Sequence, residues 1–317
     1  MPIDRRRFLV RSATLAGAMA GGVATGLPRL AGAQAQPSPS ADTASTPLRR
    51  AIPGTRETLP VIGLGTADTF DADAGRLRDS PLSEVMSLLL QNPGSVLDTA
   101  PSYGNAESVS GELMKLHGAR GKLFLATKIS ASASGAPAQW ARSQQQLGSD
   151  RVDLLQVHNL IDWEENLRFL RRLQDEDKVR YIGVTHYRDD AHAALADIVR
   201  SEKIDFVQVN YSVAEREAER TLLPLCRQRG IAVLVNRPFQ DGRLFRAVKG
   251  RPLPAWAAEI DCASWGQLFL KFIVSHPAVT AAIPATSNPR HMRDNLGAAM
   301  GRMPDARQRE QIAALLS

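Results

Sequence analysis

The feature that most constrains this chain is an alternation that runs from residue 59 to residue 317. Short β-branched or apolar runs take turns with amphipathic stretches whose apolar residues recur every three to four positions, the pattern of repeated βα units. Eight strand candidates can be counted, over 61–65, 95–99, 123–127, 153–157, 181–185, 206–209, 232–235 and 281–284. Helical stretches between them include 82–91, 107–116, 166–174, 214–229 and 264–275. Eight such units in about 260 residues fit an α/β fold of the (β/α)8 TIM-barrel type. A doubly wound sheet is the alternative, and it would want a glycine-rich phosphate loop after its first strand. Gly63-Leu64-Gly65-Thr66 has two glycines, and Asp68 stands where the third would fall.

On a barrel the polar residues at strand ends become informative, because active sites of such barrels collect at the C-terminal ends of the strands. Asp98 ends the second strand, with Tyr103 five residues on in the following loop. Lys128 ends the third strand and His158 the fourth, Gln208 and Asn210 end the sixth, Arg237 follows the seventh and Thr286 the eighth. Singly, an Asp after a strand is most often a turn or helix cap, and a His is most often a satisfied structural residue. Four reactive groups on three successive strand ends are harder to assign to structure alone.

These residues sit in segments that resemble the aldo-keto reductase family over essentially the whole of 59–317. Leu97-Asp98-Thr99-Ala100-Pro101-Ser102-Tyr103-Gly104 looks like the segment bearing that family's catalytic Asp and Tyr, and Ala126-Thr127-Lys128 like the strand bearing its Lys. The run from Leu147 to Asn159 is similar to the one bearing its His. Ile182-Gly183-Val184-Thr185, Gln208-Val209-Asn210-Tyr211-Ser212 and the stretch from Ile283 through Thr286 to Asp294 and Asn295 resemble its cofactor-contacting segments.

The resemblance implies an NAD(P)H-dependent oxidoreductase that reduces aldehydes or ketones to alcohols. Carbonyl reduction needs a hydride on carbon and a proton on the developing alkoxide. Tyr103 is expected to give the proton, Lys128 to lower its pKa, Asp98 to hold Lys128, and His158 to donate a hydrogen bond to the substrate oxygen. The cofactor is expected to be NADP(H) in preference to NAD(H). The positions implied to hold it are Gly65, Thr66, Asn159, Thr185, His186, Gln208, Tyr211, Arg237, Thr286, Arg290, Asp294 and Asn295, with Tyr211 stacked beneath the nicotinamide. Three positions depart from the family's habit. His186 replaces an Asn, Arg237 replaces a Ser and could pair with the pyrophosphate, and Ala285 stands where many NADPH-using relatives have Lys. His291 also replaces a common Arg, and Arg290 and Arg293 are the candidates to compensate.

The first 35 residues read as a signal peptide, with a basic start, a weakly apolar stretch over 15–27 and small residues at Ala31-Gly32-Ala33. Arg5-Arg6-Arg7-Phe8-Leu9 resembles the twin-arginine export motif, so the expected location is the periplasm or cell envelope, with cleavage after Ala33 or Ala35. An uncleaved leader anchored in the membrane is the alternative. Residues 36–58 read as a flexible lead-in, and 59–317 as the barrel. Residues 1–50 carry seven Arg against two Asp, whereas the rest holds 32 basic and 31 acidic residues. A near-neutral body lacks the basic stripe of a nucleic-acid binder. No short-spaced Cys or His pair suggests a metal. The expected partners are a small carbonyl substrate and the twin-arginine machinery, and the expected state is a monomer.

The chain's end soon after a helical stretch at 306–316 and the short segment after Lys128 imply an open, less selective pocket. The envelope has no evident supply of reduced nicotinamide, so folding around the cofactor before export is expected. Two rivals to the reductase reading stand beside it. One is a cofactor-loaded sensing or partner-binding subunit with little turnover, like the barrels of this family that attach to ion channels. The other is a barrel hydrolase or isomerase, which would want metal ligands or a phosphate loop.

Overall fold

The computed structural model describes residues 46–316, so the expected leader and the first part of the expected lead-in lie outside the described residues. The first described element overturns part of the lead-in expectation. Strand β1 (Arg49–Ala51) pairs antiparallel with β2 (Thr58–Pro60), so the chain is structured from Arg49 onward. Two apolar side chains explain it: Ile52 and Leu59 are buried in one cluster with Phe124 and Phe206 at the starts of their strands. They close the N-terminal end of the barrel. Arg50 locks the hairpin down by donating to the carbonyls of Val274, His276 and Val279 at 3.1, 2.6 and 2.7 Å.

Eight parallel strands follow: β3 (Leu64–Gly65), β4 (Val96–Asp98), β5 (Phe124–Ile129), β6 (Val152–His158), β7 (Val179–His186), β8 (Phe206–Asn210), β9 (Ala232–Asn236) and β10 (Ala281–Ala282). All eight expected strands are present. Each pairs with the next in sequence, and parallel bridges Ile62 to Ala282 and Gly65 to Ala285 join the first to the last, closing a (β/α)8 barrel. The seam is tight. A Cβ on Gly65 would stand 2.7 Å from the carbonyl oxygen of Ile283, so only glycine lets these strands approach.

Helices α1 (Pro81–Leu89), α2 (Ala106–Leu116), α3 (Ala136–Leu147), α4 (Trp163–Asp175), α5 (His192–Ser201), α6 (Leu222–Arg229), α7 (Arg243–Ala247), α8 (Trp265–Val274), α9 (Pro289–Gly297) and α10 (Ala306–Ala314) follow or flank the strands. The stretch 214–229, expected as one helix, divides into a 3-10 turn at Glu217–Glu219 and α6. Pro224 fixes that start: it lacks an N–H, and in the first turn of α6 no intrahelical bond is lost. Strand residues alternate between the helix layer and the barrel interior, where Val96, Ala126, Leu154, Leu234 and Ile283 pack. Lys271 on α8 is also buried, donating to the carbonyls of Ile260, Met300 and Arg302 at 2.6–2.9 Å and tying three outer segments together.

Candidate active site

The interior residues nearest the C-terminal strand ends are polar, and they converge on one carboxylate. Asp98, last residue of β4, is 2% exposed. Its Oδ2 accepts from Lys128 Nζ at 2.7 Å, and its Oδ1 from Gln208 Nε2 at 2.8 Å and Gln156 Nε2 at 3.4 Å. Lys128 is fully buried on β5 and donates a second bond to the carbonyl of Thr99 at 2.8 Å. An unpaired ammonium could not remain charged there. Burial pushes its pKa down, but Asp98 and then Tyr103 outweigh this, and the net direction is upward.

Tyr103 is carried by the turn after β4, where its N–H bonds to Ala100 O at 3.1 Å and Gly104 takes φ +58°. The Lys128 ammonium lies 4.9 Å from the centre of the Tyr103 ring. Lys128 lowers the Tyr103 pKa as expected, but burial outweighs it. Burial raises the phenol's pKa, Lys128 opposes this, Asp98 adds to it, and the net shift is upward. In the protein alone the hydroxyl therefore holds its proton firmly. His158, last residue of β6, lies edge-on to Tyr103 with ring centres 5.7 Å apart at 84°. Burial, then Lys128, then His186 pull its pKa down to about 3, so the ring is neutral at neutral pH. The structure thus brings together all four residues that the sequence singled out.

The expected cofactor positions divide. Thr185 donates to Gln208 Oε1 at 3.2 Å, so these two join the Asp98 cluster. Gly65 ends β3 and Thr66 follows it, buried with its hydroxyl unpartnered among the described residues. Asn159 follows His158 at φ +52°. His186 ends β7, and its Nδ1 accepts from Arg188 N at 3.2 Å, which leaves the ring proton on Nε2 as a donor. Thr286 accepts from Asn288 N at 3.1 Å ahead of α9, and Arg290 in the first turn of that helix has no side-chain partner among the described residues.

Five of the residues named for the cofactor are engaged or buried within the protein itself. Tyr211 is not a stacking platform: it is fully buried against Phe272 and His276, with its hydroxyl bonded to Glu219 and to Arg309. As the residue after β8 it falls on the opposite side from Gln208 and Asn210, and so faces the outer helices. Arg237 is engaged by Asp241 at 2.5 Å and by the carbonyl of Tyr187 at 3.1 Å. Asp294 accepts from Ser264 and Gln267, tying α9 to the start of α8. Asn295 is buried within α9. Arg293, the second candidate to compensate for Ala285, is paired with Glu84.

Sequence reasoning missed Gln156, Ser102, Ser130 and Asn236. Ser102 and Ser130 place hydroxyls 3.2 and 2.8 Å from His158 Nδ1. Asn236 donates to His186 O and Gln208 Oε1 while its own buried Oδ1 has no partner among the described residues. Position alone could have found three of them: Ser130 is on the same strand face as Lys128, Gln156 is level with Lys128 on the next strand, and Asn236 is level with Asn210.

The profile of the Aldo/keto reductase family matches residues 61–315. The chain is 28% identical over 202 residues to the aldo-keto reductase YhdN of Bacillus subtilis, covering 58% of this chain and 59% of that protein. It is 27% identical over 197 residues to the NADH-specific methylglyoxal reductase of Escherichia coli, covering 51% and 58%. The chain thus spans less than two thirds of the length of these curated relatives. An aldo/keto reductase from Klebsiella pneumoniae solved in complex with NADP and acetate superposes with a TM-score of 0.69 at 25% identity, covering 83% of this chain and 94% of that one. With the profile spanning every barrel strand from β3 onward, this chain belongs to the aldo/keto reductase family.

Proposed function

We propose that the chain reduces small aldehydes and ketones to alcohols with NADP(H), and the observation that carries this is the buried Lys128 held between Asp98 and Tyr103 beside a neutral His158. A reduced nicotinamide supplies the hydride. Tyr103 gives its proton to the carbonyl oxygen as negative charge develops there, and Lys128, already charged, stabilises the phenolate left behind. Asp98 keeps the ammonium charged and aimed. His158 offers an N–H to the same oxygen, and its neutrality suits a hydrogen-bond donor that must not itself lose a proton.

Three observations fit a dinucleotide. The buried Thr66 Oγ1 and Asn236 Oδ1 have no donor among the described residues, and His186, whose carbonyl accepts from Asn236, offers an Nε2–H without a partner among them, so a carboxamide could be met by both acceptors and a donor. A groove of about 360 Å³ between the starts of α1 and α9, lined by Asp79, Ser80, Glu84, Asn288, Arg290 and Arg293, holds one Arg, Arg290, with no side-chain partner among the described residues to take an adenosine 2′-phosphate. This favours NADP(H), as in the Klebsiella pneumoniae complex, over the NADH named for the Escherichia coli relative. The test is aldehyde-dependent oxidation of NADPH with methylglyoxal and a panel of larger carbonyls. No turnover of any of them would leave a binding role, and a strict preference for one large substrate would refute an open pocket.

We also propose export by the twin-arginine route to the periplasm, on the strength of Arg5-Arg6-Arg7-Phe8-Leu9 ahead of an apolar stretch. The chain would be exported as a folded monomer with nucleotide already bound. Cell fractionation of the parent and of an Arg5→Lys, Arg6→Lys variant checks this: the variant should stay in the cytoplasm, and equal partition of both would refute it. Among the described residues no helix is long and apolar enough to cross a membrane.

A further inference from the structure

His158 can help a carbonyl only through the nitrogen that carries its proton, and the structure shows what sets that choice. Ser130 follows Lys128 by two residues, on the same face of the chain as it leaves β5, while Ile129 between them is buried toward the helices. The main chain there is fixed from outside, because Gln139 on α3 accepts from both Ser130 N and Ala131 N, at 2.8 and 3.0 Å. So held, Ser130 Oγ stands 2.8 Å from His158 Nδ1. A second hydroxyl, Ser102 from the turn that carries Tyr103, stands 3.2 Å from the same nitrogen, and the two oxygens are 3.5 Å apart. His158 Nε2 has no hydrogen-bond partner among the described residues.

A neutral imidazole has one N–H. On Nδ1 that proton could serve only one of the two hydroxyls, and Nε2 would turn a lone pair toward the lone pairs of a substrate oxygen. With Nδ1 as acceptor, its one lone pair takes the shorter bond from Ser130 and is shared with the longer one from Ser102, and Nε2–H faces outward as a donor. Burial, and then Lys128 close by, disfavour a second proton on the ring, so the tautomer and not the imidazolium carries the function. We infer that Ser130, assisted by Ser102, is a positioning residue that fixes His158 as the Nε2–H tautomer. The tautomer is a property of the protein itself; only its kinetic consequence rests on the reductase reading.

Long-range ¹H–¹⁵N spectra of the full chain labelled at histidine read the tautomer directly, because protonated and unprotonated ring nitrogens resonate far apart. The parent is expected to show His158 protonated on Nε2, Ser130→Ala to show a mixture, and Ser130→Thr, which keeps the hydroxyl, to resemble the parent. In NADPH-dependent turnover Ser130→Ala should lower kcat by roughly 10-fold, less than the outright loss of an oxyanion donor costs. KM for the aldehyde and Kd for NADPH should stay put, which separates positioning from loosening of the fold. Proton on Nδ1 in the parent, or unchanged tautomer and kcat in Ser130→Ala, would overturn the inference. Absence of turnover in the parent would sink the reductase reading while the spectra still decide the tautomer.

Discussion

The two ends of this barrel use polar residues in opposite ways. At the N-terminal end they are consumed by one another: Arg50 is held by three carbonyls, and Arg180 bridges Glu57 and Asp153 while Tyr181 also donates to Glu57. At the C-terminal end buried polar atoms are left open. Thr66 Oγ1, Thr99 Oγ1, Gln156 Oε1 and Asn236 Oδ1 lack partners among the described residues, the other such atoms being on the helices. Backbone strain leans the same way, with Asp177 ahead of β7 and Asp261 ahead of α8 the two non-glycine exceptions among the described residues. Asp68, Asn159, Leu160, Asp162, Arg237, Gln240 and Asp241 all take positive φ in loops directly after β3, β6 and β9. Unmet hydrogen bonds and left-handed non-glycine residues each cost free energy, and a fold tolerates them where a ligand or a reaction compensates. One end is thus built to hold the barrel and the other to act.

The largest effect that separates the two ends should come from Tyr103→Phe. Loss of the hydroxyl proposed to give the proton should lower kcat by roughly 10³-fold, about 4 kcal/mol in the barrier, while the melting temperature hardly moves. Unchanged turnover would take Tyr103 out of the mechanism. The mirror image is Arg50→Ala, which leaves the carbonyls of Val274, His276 and Val279 without their donor. Unfolding free energy measured in urea should drop by about 2–3 kcal/mol with kcat/KM retained. A loss of activity in a variant of normal stability would mean that the two ends are coupled and the division is false.

How much of this division is legible in the sequence differs by end as well. The strands, the barrel and the four residues Asp98, Tyr103, Lys128 and His158 can be read because strand alternation and the strand-end rule are local patterns. The closing hairpin is hidden, since Ile52 and Leu59 are single apolar residues in a stretch of Pro, Arg, Gly and Thr, and only the barrel's open base gives them something to cover. Tyr211 misleads for a related reason: it adjoins Gln208 and Asn210 in sequence, yet one step along a strand reverses the side chain's direction. Arg237 is pairable with phosphate in composition, but Asp241, four residues later, is a partner nearer at hand. Ser130 has no chemical signal of its own, and its place beside His158 appears only when β5 and β6 are set side by side.

A smaller effect tests whether the open atoms at the C-terminal end are kept for a ligand. Thr66→Val preserves shape and removes the unpartnered hydroxyl. If that hydroxyl serves a cofactor, nucleotide affinity by fluorescence titration should fall about 10-fold, or 1.4 kcal/mol, while the ligand-free protein is as stable as the parent or slightly more so. A destabilised variant with normal affinity would assign Thr66 to the fold, like the polar groups at the other end.

The smallest expected effect is the one that pH draws from the site. His158 has a folded pKa of about 3 against an ordinary value near 6.5, so the folded form excludes a proton that the unfolded chain takes up. The stability associated with its neutral ring is therefore complete above about pH 6.5 and is lost as pH falls toward 3. Between pH 6.5 and 5.5 the loss from this residue should be about 1 kcal/mol. His276, against Tyr211 in the outer layer and pulled down to about 4 by burial and then by Arg309, adds a slope of the same sign. The two are separable by substitution: His158→Gln should flatten part of the acid limb of a urea-denaturation series and cripple turnover, whereas His276→Gln should flatten part of it and leave kcat alone. If His158→Gln leaves the acid limb as steep as the parent's, the ring is not held neutral by its surroundings, and the acid sensitivity belongs to the scaffold instead of the site.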